Sequence, residues 1–317
     1  VSFTLCVGEA LVDLVAQSRL GDVGASELFR RAAGGAVANV AVGIARLGGE
    51  AHFSGALSRD AFGRFLLRTL EGEGVNVSGV RTVDAHTTLA FVARGEAGER
   101  DFVFVRNPGA DSQLADVDES ELARAHVLHF GGVLLSSEPA RSTCFAAAAS
   151  AARSGALVSF DPNARQTLFT SSHDMHQALR AGCAAAHLVK LSDEDLHALG
   201  LHVEDAPALL GEMTRAVIVS LGARGCRWFA SGGTTGDLAA PRVDVVDSTG
   251  AGDAMMAAIL WRLGPSHAQD LTFATLADAA RYGIAAGACA CLREGAIPSL
   301  PTPAELDAML SRVAKAT

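Results

Sequence analysis

Residues 247–253 read Asp-Ser-Thr-Gly-Ala-Gly-Asp and run directly into Ala254-Met255-Met256-Ala257-Ala258-Ile259-Leu260. The first run forms turns and the second forms helix, so Gly250, Ala251 and Gly252 lead into a helix N-terminus. The N–H groups of a first helical turn have no intrahelical partner and carry a partial positive charge. Residues without bulk let an anion approach those groups closely. Asp253 then sets a carboxylate beside the same spot, where it would repel a resident anion. The arrangement makes sense if the anion is a phosphoryl group in transfer and Asp253 takes the proton of the attacking hydroxyl. A capped helix start, with a first-turn Asp balancing the dipole, explains the local pattern equally well. The seven-residue string taken whole favours the catalytic reading.

A second glycine-led string, Ala33-Gly34-Gly35-Ala36-Val37-Ala38-Asn39-Val40-Ala41, opens a helix that runs through Leu47. Gly34 and Gly35 let backbone N–H groups meet a ligand with no side chain in the way. Asn39, in the first turns, can donate and accept, which suits a sugar hydroxyl. Asp13 is the one acid in Leu11–Val15, either a solvated strand residue or a ligand for hydroxyl groups. Arg165 ends Asp161-Pro162-Asn163-Ala164-Arg165 after an apolar strand, and open α/β sheets build their sites at the carboxyl ends of strands. It can neutralise a phosphoryl group, hold a sugar, or lie in a surface loop. Arg106 follows an alternating run that contains Phe104, and it either reaches a ligand or stays at the surface.

The 247–253 and 33–41 strings resemble the two signatures of the ribokinase-like (PfkB) carbohydrate kinases. The resemblance implies that Asp253 is the catalytic base, that Gly250-Ala251-Gly252 is the anion hole, and that Gly34, Gly35, Asn39 and Asp13 hold the sugar. Arg106-Asn107-Pro108-Gly109-Ala110-Asp111 and Asp161–Arg165 resemble segments of the fructokinase branch, with Phe104 and Arg106 implied at the acceptor. Val105 and Gly109 depart from that branch, which often has an aromatic and a Ser there. Lys190 and Asp193 stand where many relatives carry Asn and Glu, implying phosphate contact for Lys190 and a Mg²⁺ role for Asp193. The turn at Ser220, Gly222 and Gly225 is implied to lie along the nucleotide, and Asp247 and Thr249 resemble a monovalent-cation (K⁺) site. The activity implied is transfer of the γ-phosphoryl of ATP to a primary hydroxyl of a small sugar, D-fructose first. Other acceptors in the family are 2-keto-3-deoxygluconate, ribose and nucleosides such as aminoimidazole riboside. A non-catalytic sugar or nucleotide sensor is the reading from another class, opposed by the intact Asp253.

The fold implied is a single ribokinase-like domain over 1–317: three α/β/α layers, a mostly parallel central sheet and a small β-sheet lid. The lid is expected from about 11–30 and 86–112, and the nucleotide site from about 186–300. The 317 residues suffice for one large core with a small appendage. Hydrophobic residues make up 49% and aromatics 5%, which suits Ala- and Gly-rich helices packed closely on a sheet. A net charge of −9 argues against nucleic acid or an anionic membrane as partner. No P-loop string and no Gly-x-Gly-x-x-Gly turn after the first strand is found. The six cysteines lack metal-type spacing and read as reduced thiols of a cytoplasmic protein. A homodimer through the lid's exposed underside completes the expectation.

The elements that must position these residues follow from periodicity. Short apolar runs at Phe3–Val7, Val127–Phe130, Leu157–Phe160, Leu188–Leu191 and Val217–Leu221 read as buried strands. Helices are expected at 139–153, 173–185, 253–263, 267–276, 278–291 and 303–315. Helix 278–291 presents Gly283, Ala286, Gly287 and Ala290, a slot for adenine or a surface for close packing. Alternation at Thr88–Ala93 and Asp101–Val105 predicts a hairpin. Gly72–Val77 is expected to open a strand, 226–244 to form two strands, and Val243, Val245 and Val246 to end one.

Overall fold

The computed structural model describes residues 2–18, 20–95, 100–106 and 108–313. The N-terminal part runs β1 (Thr4–Val7), β2 (Leu11–Ala16), β3 (Phe29–Gly34), α1 (Ala36–Arg46), β4 (Ala51–Ser54), β5 (Ala56–Ser58), α2 (Ala61–Gly72), β6 (Arg81–Val83), β7 (Leu89–Arg94) and β8 (Arg100–Val105). The middle adds α3 (Glu119–Arg124), β9 (Val127–Gly131), α4 (Ala140–Arg153), β10 (Leu157–Asp161), α5 (Ser172–Ala184), β11 (Leu188–Ser192) and α6 (Asp193–Ala198). The chain ends with β12 (Ala216–Ser220), β13 (Cys226–Ala230), β14 (Thr234–Leu238), α7 (Ala251–Leu263), α8 (Phe273–Ala290) and α9 (Pro303–Leu310).

The large sheet has eight strands in the order β14-β13-β12-β11-β10-β9-β1-β4. Strands β4 through β12 pair in parallel, and β13 and β14 return antiparallel at the edge. Side chains alternate across a strand, so each strand feeds two cores. Cys6, Leu157, Leu188 and Ile218 face a cluster shared with α1, α7, α8 and α9. Leu5, Val7, Val158, Val189 and Val217 face the opposite cluster with α4 and α5. The same alternation puts Lys190 on the α7 side of the sheet, in register with Leu188 and Ile218. Each fully buried aliphatic side chain contributes about 1.5–3 kcal/mol.

Small residues set the helix spacing. A Cβ at Gly43 of α1 would lie 2.5 Å from the Ala257 Cβ of α7, and one at Gly283 of α8 would meet Ile259 at 2.8 Å. Helices α1, α7 and α8 therefore pack with their backbones close, which sets the depth at which α7 starts.

The small sheet, β3-β2-β7-β8, is the lid. Its register puts Asp13, Ala90 and Phe104 on the inner face, while Leu14, Phe91 and Val103 face outward. Helix α2 backs the outer face, with the Arg31 guanidinium 3.8 Å over the Phe65 ring.

Several expectations are corrected. The lid gains β3 and so reaches residue 34 rather than 30. The strand expected after Gly72 starts only at Arg81. No strand forms at Val243–Val246: the chain leaves the sheet after Leu238, and Val245 and Val246 are exposed. The separate helices expected at 267–276 and 278–291 are a short 3-10 turn followed by one helix, Phe273–Ala290. Thr272 caps that helix, and no proline interrupts its Ala-rich interior. The last helix ends at Leu310 rather than 315. Val1, the hairpin turn at 96–99, Asn107 and the last residues of the chain lie outside the described residues.

Replacing Gly43 by Val should wedge α1 from α7 and destabilise the fold by about 1–3 kcal/mol. A lower urea midpoint at unchanged slope is the expected reading.

Candidate active site

A cleft of about 880 Å³ opens between the lid and the carboxyl ends of the parallel strands. Its floor is the start of α7. Gly250 has φ 78, and a Cβ there would stand 2.9 Å from the Ala296 Cα, so the position needs glycine twice over. The ladder begins with the Ala254 N–H donating to the Gly250 carbonyl at 2.8 Å. The first-turn N–H groups of Gly252 and Asp253 precede it and belong to residues that line the cleft. Asp247 organises the entering loop: its carboxylate accepts from the Thr249 N–H at 3.0 Å, the Thr249 hydroxyl at 2.8 Å and the Gly295 N–H at 2.8 Å.

Asp253 meets α1 across the floor. The Asn39 side-chain NH₂ donates to Asp253 Oδ2 at 2.8 Å. Removal from bulk water pushes the Asp253 carboxyl up to about 6. The Asn39 bond opposes that rise, Asp161 adds to it, and Lys190 and Arg165 oppose it. A carboxyl near 6 is a better base at neutral pH than an ordinary Asp.

Lys190 is buried, and its Nζ donates to Asp161 Oδ2 at 2.8 Å. Burial works against its charge, but Asp161 and Asp195 outweigh this and hold its pKa above the ordinary value. The same Nζ would be 3.0 Å from a Cβ at Gly252, so a fixed ammonium overlooks the start of α7. Asp195 steadies both neighbours, accepting from the Ser192 N–H at 2.8 Å and from the Ala164 N–H at 2.8 Å. The loop it holds contains Asn163, the one non-glycine residue with positive φ, at 39°, among the described residues. Arg165 follows, its guanidinium 5.7 Å from the Phe102 ring centre of the lid.

Of the expected residues, Asp13, Gly35, Asn39, Phe104, Arg165, Lys190, Asp193, Ser220, Gly222, Gly225, Thr249, Gly250, Ala251, Gly252 and Asp253 all line this one cleft. Others do not. Gly34 lies behind Asp13, where a Cβ would be 2.3 Å from Asp13 Oδ2. Arg106 is held away from the cleft by Asp111, at 2.8 Å, and by the Ser136 hydroxyl. Ala286 is fully buried, and Gly283 and Gly287, one turn apart, line the cleft instead. Val105 points outward from the lid and Gly109 packs against Thr88, so neither departure from the fructokinase strings touches the cleft.

The metal donor set is thin. Asp193 pairs with Arg224 at 2.9 Å on the rim. Among the described residues no three His, Cys, Asp or Glu side chains gather as a metal cluster. A Mg²⁺ ion here would take its ligands chiefly from nucleotide phosphates and water, as this ion commonly does.

A family model for "pfkB family carbohydrate kinase" matches residues 2–303. The chain belongs to this family. A fructokinase-1 from Oryza sativa subsp. japonica is 39% identical over 308 residues, spanning 94% of each chain. The crystal structure of a fructokinase from Vibrio cholerae O395 with fructose, ADP and calcium superposes with a TM-score of 0.84 at 32% identity, covering 98% of this chain and 99% of that one. An aminoimidazole riboside kinase from Salmonella enterica, complexed with aminoimidazole riboside and an ATP analogue, gives 0.83 at 32% identity and covers 98% and 100%. Family membership accounts for the paired signatures and the ribokinase-like α/β fold with its small second sheet.

Sequence reasoning passed over Glu9, Asp161 and Asp195, each buried beside or in the cleft wall. Asp195 stands three residues after Ser192, the spacing of a capping box, which is the signal that could have found it.

Gly250→Ala should push the start of α7 off Ala296 and cut turnover about a hundredfold, the typical cost when one oxyanion-type donor no longer meets its target. Steady-state rates beside an unchanged circular-dichroism spectrum would check this.

Proposed function

We propose that this chain is an ATP-dependent fructokinase that converts D-fructose to fructose 6-phosphate. The observation that carries the reading is Asp253: a cleft-lining carboxylate held by Asn39 in the first turn of α7, with Lys190 beside Gly252. The sugar lies between Asp13, Gly35, Asn39 and Phe104, and ATP runs along Ser220, Gly222 and Gly225 toward α7. The primary hydroxyl oxygen bonds to the γ-phosphorus as the bridge to the β-phosphate breaks. The proton passes to Asp253 and ADP leaves. The transition state is loose, so positioning and charge stabilisation dominate. The N–H groups at Gly250–Gly252, with Lys190 and Arg165, supply that stabilisation.

Bound with the nucleotide, Mg²⁺ would neutralise phosphate charge, and Asp247 and Thr249 would hold a monovalent cation such as K⁺. The fructokinase from Vibrio cholerae with fructose and ADP supports nucleotide and metal use. Aminoimidazole riboside is the second acceptor to consider, favoured by the equal likeness to the Salmonella kinase.

A homodimer through the lid is part of the proposal. Leu20, Leu28, Val103 and Val105 are exposed apolar residues on or beside the lid, and such residues gathered together mark interaction surfaces. The cytoplasm is the proposed compartment, supported by free cysteines that are mostly buried.

ADP release should be fast with fructose and slow with aminoimidazole riboside, ribose, 2-keto-3-deoxygluconate and glucose. Silence across this panel, with K⁺ present, would overturn the kinase assignment. Asp253→Asn should lower kcat at least about a thousandfold while ATP binding by calorimetry holds. In the parent enzyme the base must be ionised, so kcat/KM for fructose should fall as pH drops through about 6. Val103→Glu should shift sedimentation toward monomer if the lid pairs two copies.

A further inference from the structure

Glu9 is an acid that the proposed chemistry does not use. It follows the end of β1, is 1% exposed, and belongs to the cleft wall. Its Oε1 accepts from the Ala36 N–H at 2.7 Å and the Val37 N–H at 3.4 Å, the first residues of α1. That helix has no side-chain cap of its own from Gly35. Gly35 adds a second lock, because with φ 106 its absent Cβ would stand 2.5 Å from the Glu9 carbonyl oxygen. The far half of α1 is seated independently, by Gly43 against Ala257 of α7. The near half, where Val37 packs against Gly8 and Gly131, takes its cap from Glu9, and it carries Asn39, whose N–H closes the first turn onto the Gly35 carbonyl at 2.8 Å.

We propose that Glu9 is a positioning residue for phosphoryl transfer: by clamping the first turn of α1 it holds the Asn39 amide on Asp253. The inference rests on Asp253 being the base. Burial, with repulsion from Asp111, pushes the Glu9 carboxyl up to about 7, while its backbone N–H bonds resist the rise.

The pH profile of kcat/KM for fructose reads the clamp. Asp253 faces Asn39 on α1, Asp161 at the end of β10, Arg165 in the loop after it and Lys190 on β11. Glu9 faces Asp111, and its charge also reaches Cys144 on α4. Loss of the Asn39 bond raises the pKa of Asp253, whereas loss of a nearby negative charge would lower it. Glu9→Ala should therefore move the acid limb up by about one unit. Glu9→Gln keeps an oxygen for the Ala36 N–H and should hold the limb within about 0.3 unit. Asn39→Leu should reproduce the upward shift, and adding Glu9→Ala to it should shift the limb no further. If Glu9→Ala does not fold, Glu9→Asp, one methylene too short to reach α1, takes its place with the same upward shift expected.

A limb that stays put or moves down in Glu9→Ala, with a lower Tm, overturns the proposal and leaves a structural cap. A Glu9→Gln limb displaced as far as that of Glu9→Ala, or lost altogether, also overturns it, because Glu9 would then act through its charge. An active Asp253→Asn enzyme would instead sink the assignment of the base, which separates the two failures.

Discussion

The floor of the cleft holds two carboxylates, Asp161 and Asp253, and two cations, Lys190 and Arg165, within mutual electrostatic reach. That balance is the constraint on which the rest depends. Opposite charges interact far more strongly where water is excluded, and an unpaired buried charge is correspondingly costly. Lys190 answers Asp161 directly, so Asp253 is left with Asn39 as its hydrogen-bond partner and keeps a carboxyl that titrates near 6. Without the ammonium, Asp161 and Asp253 would face each other with less opposing charge, and the start of α7 would carry net negative charge. Asp195 completes the arrangement by pinning the loop that carries Arg165.

The two cores beneath this floor explain its rigidity. Parallel strands bury both faces, and the period of two sends Lys190 toward α7 while its neighbours Val189 and Leu191 anchor the opposite core. Helices α1, α7 and α8 then close on one another through glycine and alanine contacts that tolerate no added methyl group. A carboxylate on one helix and its hydrogen-bond donor on another stay aligned only if the helices cannot slide. Here the packing that stabilises the domain also fixes the two helices between which Asn39 meets Asp253 at 2.8 Å.

The lid works by a different division of labour. Its inner face brings Asp13, Ala90 and Phe104 over the cleft, and its outer face rests on α2 near one end and exposes Val103 and Val105 at the other. Its links to the core are apolar and polar: Val12, with Leu14, Ala33 and Leu89, packs on the cluster shared with α1, α7, α8 and α9, Arg106 after β8 bonds to Asp111 and Ser136, and the Arg165–Phe102 contact and the exposed Arg30–Glu294 pair at 3.4 Å add to these. Exposed ion pairs are worth about 1 kcal/mol at most, so the apolar seat on the core, rather than the Arg30–Glu294 pair, holds the lid in place.

Much of this was legible in the residues themselves. Asp253 after Gly-Ala-Gly, Asn39 after Gly-Gly, and Lys190 inside an apolar strand are local patterns, because helix starts and strand ends announce themselves through turn residues and periodicity. The order of strands and helices followed the same signals, and so did the hairpin of the lid. Tertiary structure alone decided which of these residues meet. Arg106 looked free to reach a sugar until Asp111 and Ser136 claimed it. Ala286 looked like part of an adenine slot, but a turn of 100° per residue hands that face to Gly283 and Gly287. Glu9 carries no local mark of importance and Asp195 only its capping-box spacing after Ser192, since the helix or loop each reaches across to is 27 or 31 residues away along the chain. Helix and strand formation depend on neighbours in sequence. Charge balance, burial and cross-chain capping depend on neighbours in space, which only the folded arrangement supplies.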